Sequence, residues 1–351
     1  MKAYILLFVF FQSLSFLQGK NPNFEFSGID KFWDIIRILE RNDEPTEKEW
    51  KSLFNTPGYK VLTRREFSQK FFKDNFRLVF QPKKKKELEI ALKNGKNRNH
   101  LLHYKKVRDN KQKIKDQLRK LKNNNYSRIA VKRTLEYLPQ NRVSTYPPVS
   151  FVIFESNGRG SSPIVVDLAA SIEWDFMSFL SHEYHHWYRN KQIKINERKV
   201  ANEDKLLIDV LGLIEAEGIA DMIDKKDWYT KPSNSISDYA RRFIHDVKRT
   251  PEIIKILNDS FEKLIKNPKQ KSQIGRKILN SLPQRGHTTG YFMARMILEK
   301  FSKRELAKCV GNPFDFILLY NRAALKSSGR YPSFSNESIN FIKTLKSKYS
   351  I

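Results

Sequence analysis

The chain holds a single cysteine, Cys309, in 351 residues, so no disulfide can form within it. Its stability must come from packing. With 40% hydrophobic and 13% aromatic residues it can bury a sizeable core, in one large domain or two, and it is not composed like a disordered chain. Past the N-terminus no stretch approaches the ~20 apolar residues that span a bilayer, which excludes an internal membrane helix of the usual kind. Acids are scarce, 38 against 66 lysines and arginines, for a net charge of +28. Histidine is scarcer still, at 7. No repeat and no nucleic-acid motif is present. Asn157-Gly158-Arg159-Gly160 lacks the G-x-x-x-x-G-K pattern and the strand-to-helix setting of a phosphate loop.

What the N-terminus does have is an address. Lys2 precedes an unbroken apolar run, Ala3 to Phe11, and Gln18-Gly19-Lys20 turns polar. This predicts a secretory signal over 1–19 and an exported protein, periplasmic or secreted, with no membrane span once the signal is removed. No cysteine follows the run, so it is not a lipoprotein signal. Between Lys83 and Arg133 lie nineteen lysines and arginines and only Glu87, Glu89, Asp109 and Asp116 as acids. The plain reading is a solvated helical face. An anionic surface or polymer is the partner it could take; a specific nucleic acid is not expected.

Helical spacing runs through most of the chain. Phe32, Trp33, Ile35, Ile36 and Leu39 share a face, and Thr46 with Glu49 forms a capping-box pattern ahead of Trp50, Leu53 and Phe54. Thr56-Pro57-Gly58-Tyr59 reads as a turn. Broken amphipathic helices follow through the basic region to 135. Composition then shifts at Pro147-Pro148. The segments 149–154 and 164–168, with the Ser156–Pro163 turn between them, are expected to form a β-hairpin. Helices are expected over 172–190, 203–224, 237–248, 252–266, 290–301, 312–326 and 333–348. The division this suggests is a helical, basic region over 20–135 and a catalytic region over 136–351.

Three of the seven histidines fall within five residues. His182-Glu183-Tyr184-His185-His186 matches H-E-x-x-H. On a helix, His182 and His186 project from one face and can take adjacent corners of a zinc tetrahedron. Glu183 sits one position round, able to reach a water at the metal without ligating it. His185 points about 100° away from His186 and reads as structural. His100, His103 and His245 have no evident partners.

A catalytic zinc needs a third ligand and an open position. The helix over 203–224 offers Glu217 as ligand and Asp221, four residues on, to bond the outer nitrogen of a ligating histidine. Glu215 is the alternative ligand, with no acid four residues after it. Gly218 would let this helix approach the motif helix closely.

These residues resemble the gluzincin branch of zinc metallopeptidases. His-Glu-Tyr-His-His, Glu217-Gly-Ile-Ala-Asp221 and Gly286-His287-Thr-Thr-Gly290-Tyr291, with Trp50-Lys-Ser-Leu53 and Thr56-Pro-Gly-Tyr59, are similar to a family of largely uncharacterised bacterial proteins taken to be zinc-dependent peptidases. The resemblance implies an α+β, mostly helical, zincin-like fold. A small hairpin or sheet would lie beside the motif helix, and a helical subdomain below it. Strand 149–154 or strand 164–168 would edge the cleft and hold an extended peptide.

The expected function is an exported peptidase with one Zn2+ held by His182, His186 and Glu217. Glu183 is the general base. His287 or Tyr291 stabilises the oxyanion, and Asp221 supports a ligating histidine. The alternative is an exported binding protein for an anionic surface, carrying a structural or vestigial metal site.

Overall fold

Apolar residues three and four apart dominate the chain, and helices follow from that pattern. A computed structural model describes residues 23–95, 97–139, 145–173, 175–229 and 236–351. The expected signal segment, 1–19, lies outside these described residues.

The described residues open with strand β1 (Phe24–Glu25). Helices α1 (Ser27–Leu39), α2 (Glu47–Phe54), α3 (Pro57–Arg65), α4 (Gln69–Phe80), α5 (Lys85–Asn94), α6 (Arg98–Asp109), α7 (Lys111–Asn123) and α8 (Tyr126–Leu135) follow. Then come β2 (Val149–Val152), β3 (Gly158–Arg159) and β4 (Ile164–Asp167). The remaining helices are α9 (Phe176–Asn190), α10 (Asn202–Asp224), α11 (Asp238–Lys248), α12 (Thr250–Lys266), α13 (Lys271–Ser281), α14 (His287–Lys300), α15 (Lys303–Lys308), α16 (Pro313–Leu325) and α17 (Asn336–Tyr349). The fold is α+β and mostly helical, with one four-stranded sheet among the described residues. Among the described residues no helix is long and apolar enough to cross a membrane.

The sheet has the order β1-β2-β4-β3. The two strands expected to form a hairpin run parallel instead: Val149 pairs with Ile164, and Val152 with Asp167. The connection 153–163 is close to the dozen residues a parallel return needs. It carries the short β3, which lies antiparallel to β4 on its outer side. The edge strands are therefore β3 and β1, and neither 149–154 nor 164–168 is at an edge. Both β2 and β4 are buried along their whole length, as parallel strands covered on two faces must be. Ser150 and Val152 face α3, where Gly58 lies so close that a Cβ there would come within 2.6 Å of Val152 Cγ1. Phe151 faces the other way, onto Phe176 at the start of α9.

Thr56-Pro57-Gly58-Tyr59 is not a turn. Pro57 opens α3 with Thr56 as N-cap, because the first helical position needs no N–H and suits the fixed φ of proline. The Thr46–Glu49 capping box forms as expected. In the basic helices Leu88, Leu101, Tyr104, Val107, Ile114 and Leu121 are buried. One continuous core joins these residues to those of the sheet and the C-terminal helices.

Each of the three histidines without an evident partner lies near an acid, His245 at 3.4 Å from Asp246. His100 Nε2 lies 3.1 Å from a Glu155 oxygen. His103 Nε2 lies 2.9 Å from Oδ2 of Asp167, a fully buried carboxylate at the end of β4. Asp167 also accepts the Phe154 and Ala170 amides, so it pins α6 to the sheet. Burial would lower the His103 pKa, but the Asp167 carboxylate outweighs it and holds the value above that of a free histidine. A raised folded-state pKa adds stability that is complete below the unfolded value of about 6.5 and lost as pH climbs through the folded value. The wild-type Tm should therefore fall more between pH 6 and pH 9 than that of His103→Gln. Parallel Tm curves for the two proteins would remove this role.

Candidate metal centre and active site

Helix α9 begins at an Asp175 N-cap, whose carboxylate accepts the Ser178 amide at 3.2 Å. Leu180, Tyr184 and Tyr188 face the core. That leaves His182 and His186, one turn apart, turned toward a cleft. Helix α10 is buried almost all round, with Leu207, Val210, Leu211, Ile214 and Ile219 in the core. Such a helix is a central pillar rather than a surface element. It crosses behind the motif helix and presents Glu217, Asp221 and Asp224 from its last turns.

Three lone-pair atoms converge. His182 Nε2 and His186 Nε2 are 2.8 Å apart. Glu217 Oε2 lies 3.1 Å from His186 Nε2 and 3.4 Å from His182 Nε2. A tetrahedral zinc with bonds of 2.0–2.1 Å sets its ligands about 3.3 Å apart, so this triangle suits the ion. The wider quartet His182, Glu217, Asp221 and His287 has donor atoms within 4.8 Å of one another. It fits less well, because the Lys225 ammonium already sits on Asp221 and would repel a second cation.

The charges agree with that choice. Asp221 and Asp224 share a single ammonium, Lys225, while Glu217 lies against the imidazoles; three acids against one lysine leave an excess of two negative charges for a divalent ion. Burial would depress the His182 pKa, yet the Asp224 carboxylate keeps it well above the ordinary histidine value. Burial would raise Glu217, yet His186, His182 and His287 hold it well below the carboxylate range. The site favours positive charge throughout.

Glu183 is 9% exposed. Among the described residues no hydrogen-bond partner reaches its Oε2. Gly160, just past β3, lies over it: a Cβ there would come within 2.6 Å of that oxygen. A buried carboxylate oxygen without a partner is costly unless something else is to meet it. Only glycine lets the edge strand pass so close.

His287 is the first residue of α14. Its Nδ1 lies 3.0 and 3.1 Å from the two Asp221 oxygens and 3.3 Å from Glu217 Oε2. Its ring stacks on that of His182 at 6.0 Å. Burial would lower the His287 pKa, but Asp221 raises it above the usual value. His182 Nδ1 lies 3.2 Å from Asp224 and 3.5 Å from Asp221.

The structure thus brings His182, Glu183, His186, Glu217, Asp221 and His287 together. It does not bring Tyr291 to them. That ring is 1% exposed, stacked on Tyr229 and set against Phe243, and lies outside the cleft wall. Tyr291 shares the face of His287 but lies one turn, about 6 Å, further along α14, where Tyr229 and Phe243 close over it. Glu215 is also elsewhere. It is fully buried, bound by Arg189 and the Gly311 amide. His185 is buried with Nε2 at 3.2 Å from the Tyr137 carbonyl. Burial and the neighbouring His186 push its pKa down to about 3. Asp224 and Lys225 were not anticipated, although the i, i+3 spacing of Asp221 and Asp224 puts them on one face. No local signal marks Gly160, or Tyr239, which lines the far wall.

The cleft holds about 1750 Å³, well above the 300–1,000 Å³ usual for small-molecule pockets. Ser156–Gly160 form one wall, α9 and α10 the floor, and Trp228 and Tyr239 the other side.

The model of a family described as "Putative zinc dependent peptidase (DUF5700)" matches residues 50–329. The chain belongs to this family. The match takes in every residue of the convergent site, from Gly160 to His287, and the family's description points to zinc and to peptide substrates. No curated protein and no solved structure matches the chain.

Proposed function

We propose that the chain is a zinc metallopeptidase that hydrolyses peptide bonds in the cleft between β3 and α10. The observation that carries this is the convergence of His182 Nε2, His186 Nε2 and Glu217 Oε2 within 2.8–3.4 Å, beside a Glu183 carboxylate oxygen with no hydrogen-bond partner among the described residues. Those three residues would hold the ion. When bound, zinc supplies a Lewis acid and brings the pKa of water toward about 7.

Glu183 takes the proton of the attacking water and later gives it to the leaving amine. His287, with Nδ1 fixed by Asp221, turns its other ring nitrogen to the oxyanion. Such a donor is worth about 3–4 kcal/mol in the transition state. The exposed edge of β3 receives an extended peptide by main-chain hydrogen bonds. Supported by the apolar run at 3–11, the same proposal places the enzyme outside the cytoplasm.

The test is metal content by mass spectrometry, followed by cleavage of a mixed peptide library. One zinc per chain is expected, with cleavage lost on treatment with a chelator and restored by zinc. Stoichiometric zinc with no cleavage of any peptide would favour the alternative of a binding protein with a structural metal.

A further inference from the structure

The last turn of α10 ends in two carboxylates and an ammonium: Asp221, Asp224 and Lys225. Each carboxylate faces a different imidazole. Asp224 Oδ1 is 3.2 Å from His182 Nδ1. Asp221 places both oxygens at 3.0–3.1 Å from His287 Nδ1 and is 3.5 Å from His182 Nδ1. An imidazole Nδ1 carries one proton and makes one good hydrogen bond, and 3.5 Å is at the far limit of that bond. Asp221 is also already engaged, since Oδ1 takes the Lys225 ammonium and both of its oxygens lie at His287.

Lys225 joins the two. Its Nζ donates to Asp221 and, at 3.1 Å, to Asp224 Oδ2. The side chain is 4% exposed, lies over the rings of Trp228 and Phe243 at 5.7 Å from each, and its amide bonds the Asp221 carbonyl. An ammonium with three donors, held on two carboxylates and excluded from water, fixes where both acids point.

We propose that the two acids divide the work: Asp224 positions the metal-holding His182, Asp221 positions His287, and Lys225 is the bridge that holds both. This rests on the zinc reading above and refines it. Asp221 stands at the spacing from Glu217 from which a ligating histidine is expected to be supported, and the geometry transfers that task to Asp224.

The test uses the full chain with Asp224→Asn, Asp221→Asn and Lys225→Met, each checked by thermal unfolding. Zinc Kd is read by competition with a chromophoric chelator, and kcat on a cleaved peptide at saturating zinc. Asp224→Asn should weaken zinc by about 10–100-fold, and Asp224→Glu, which restores the charge, should recover part of the loss. Asp221→Asn should leave zinc Kd within about 3-fold, since it removes no partner of a ligand, yet lower kcat by about 10²-fold or more through His287. Lys225→Met should move both readouts in one protein.

Equal loss of zinc affinity in Asp221→Asn and Asp224→Asn would overturn the division of roles. So would an Asp224→Asn protein that binds zinc as wild type does. A Lys225→Met protein altered in only one readout would overturn the bridge. A wild-type chain that binds no zinc would instead sink the underlying metallopeptidase reading.

Discussion

Glu183→Gln should lower kcat by about 10²–10⁴-fold while one zinc per chain remains bound. The substitution keeps the shape of the side chain and removes only its basicity. Among the described residues no hydrogen-bond partner reaches Glu183 Oε2, and Glu183 stands beside the three converging atoms rather than among them. Loss of its charge should therefore leave the His182–His186–Glu217 triangle intact. Gly160 leaves only enough room for the existing side chain, so an isosteric change is the right probe and a larger one is not. The measurement pairs metal content with peptide turnover. Retained full activity would show that another group moves the proton. Loss of zinc together with activity would show that Glu183 is a ligand, which its placement beside the triangle does not suggest.

Gly290→Ala should unfold the protein more easily, against the usual sign for such a change. In an ordinary helix interior, replacing glycine by alanine stabilises by about 1 kcal/mol. Here a Cβ on Gly290 would sit 2.0 Å from the Ile214 carbonyl oxygen and 2.7 Å from Gly218 Cα. All of those atoms are backbone and cannot turn aside. Relief requires α10 and α14 to separate, and overpacking of this kind costs about 3 kcal/mol or more. Overlap therefore outweighs propensity, and Tm should drop by about 3 °C or more. The effect should reach the site as well, because α14 begins at His287, three residues before the crossing. Thermal unfolding of the variant checks this; a Tm equal to or above wild type would mean the two helices slide past each other without cost.

That crossing also shows how far local pattern carries. Gly218 is legible as a position of close helix approach. The partner suggested by proximity in sequence is the motif helix, but the partner in the fold is α14, whose Gly290 lies 72 positions along the chain. The motif helix instead meets α10 through polar side chains, the Arg189–Glu215 ion pair and the contacts of His182 and His186 with Glu217 and Asp224. Similarly, the segments 149–154 and 164–168 are correctly strands, yet a run of turn residues between them reads the same whether the chain doubles back or crosses over. Only the register, Val149 with Ile164, distinguishes a parallel pair. That choice moves the sheet edge to β3 and places Gly160 over Glu183.

The sequence by itself determined the chemistry held within a helical turn. His182 and His186 at i, i+4, Glu183 beside them, and Glu217 and Asp221 at the same spacing are set by the 3.6-residue period, which needs no knowledge of the rest of the chain. It also determined that these residues sit in a mostly helical α+β domain. What only the tertiary structure decided is which acid lies against which histidine, which ring lines the cleft and which is core, and which strand lies at the sheet edge. Asp224 and Lys225 come to matter because α14 delivers His287 to Asp221 from more than sixty residues away. Tyr291, one turn further along the same helix, is lost to the core because Tyr229 and Phe243 pack over it. Such pairings depend on how helices cross, and crossing is fixed by side-chain volume at contacts distant in sequence, which no local period encodes.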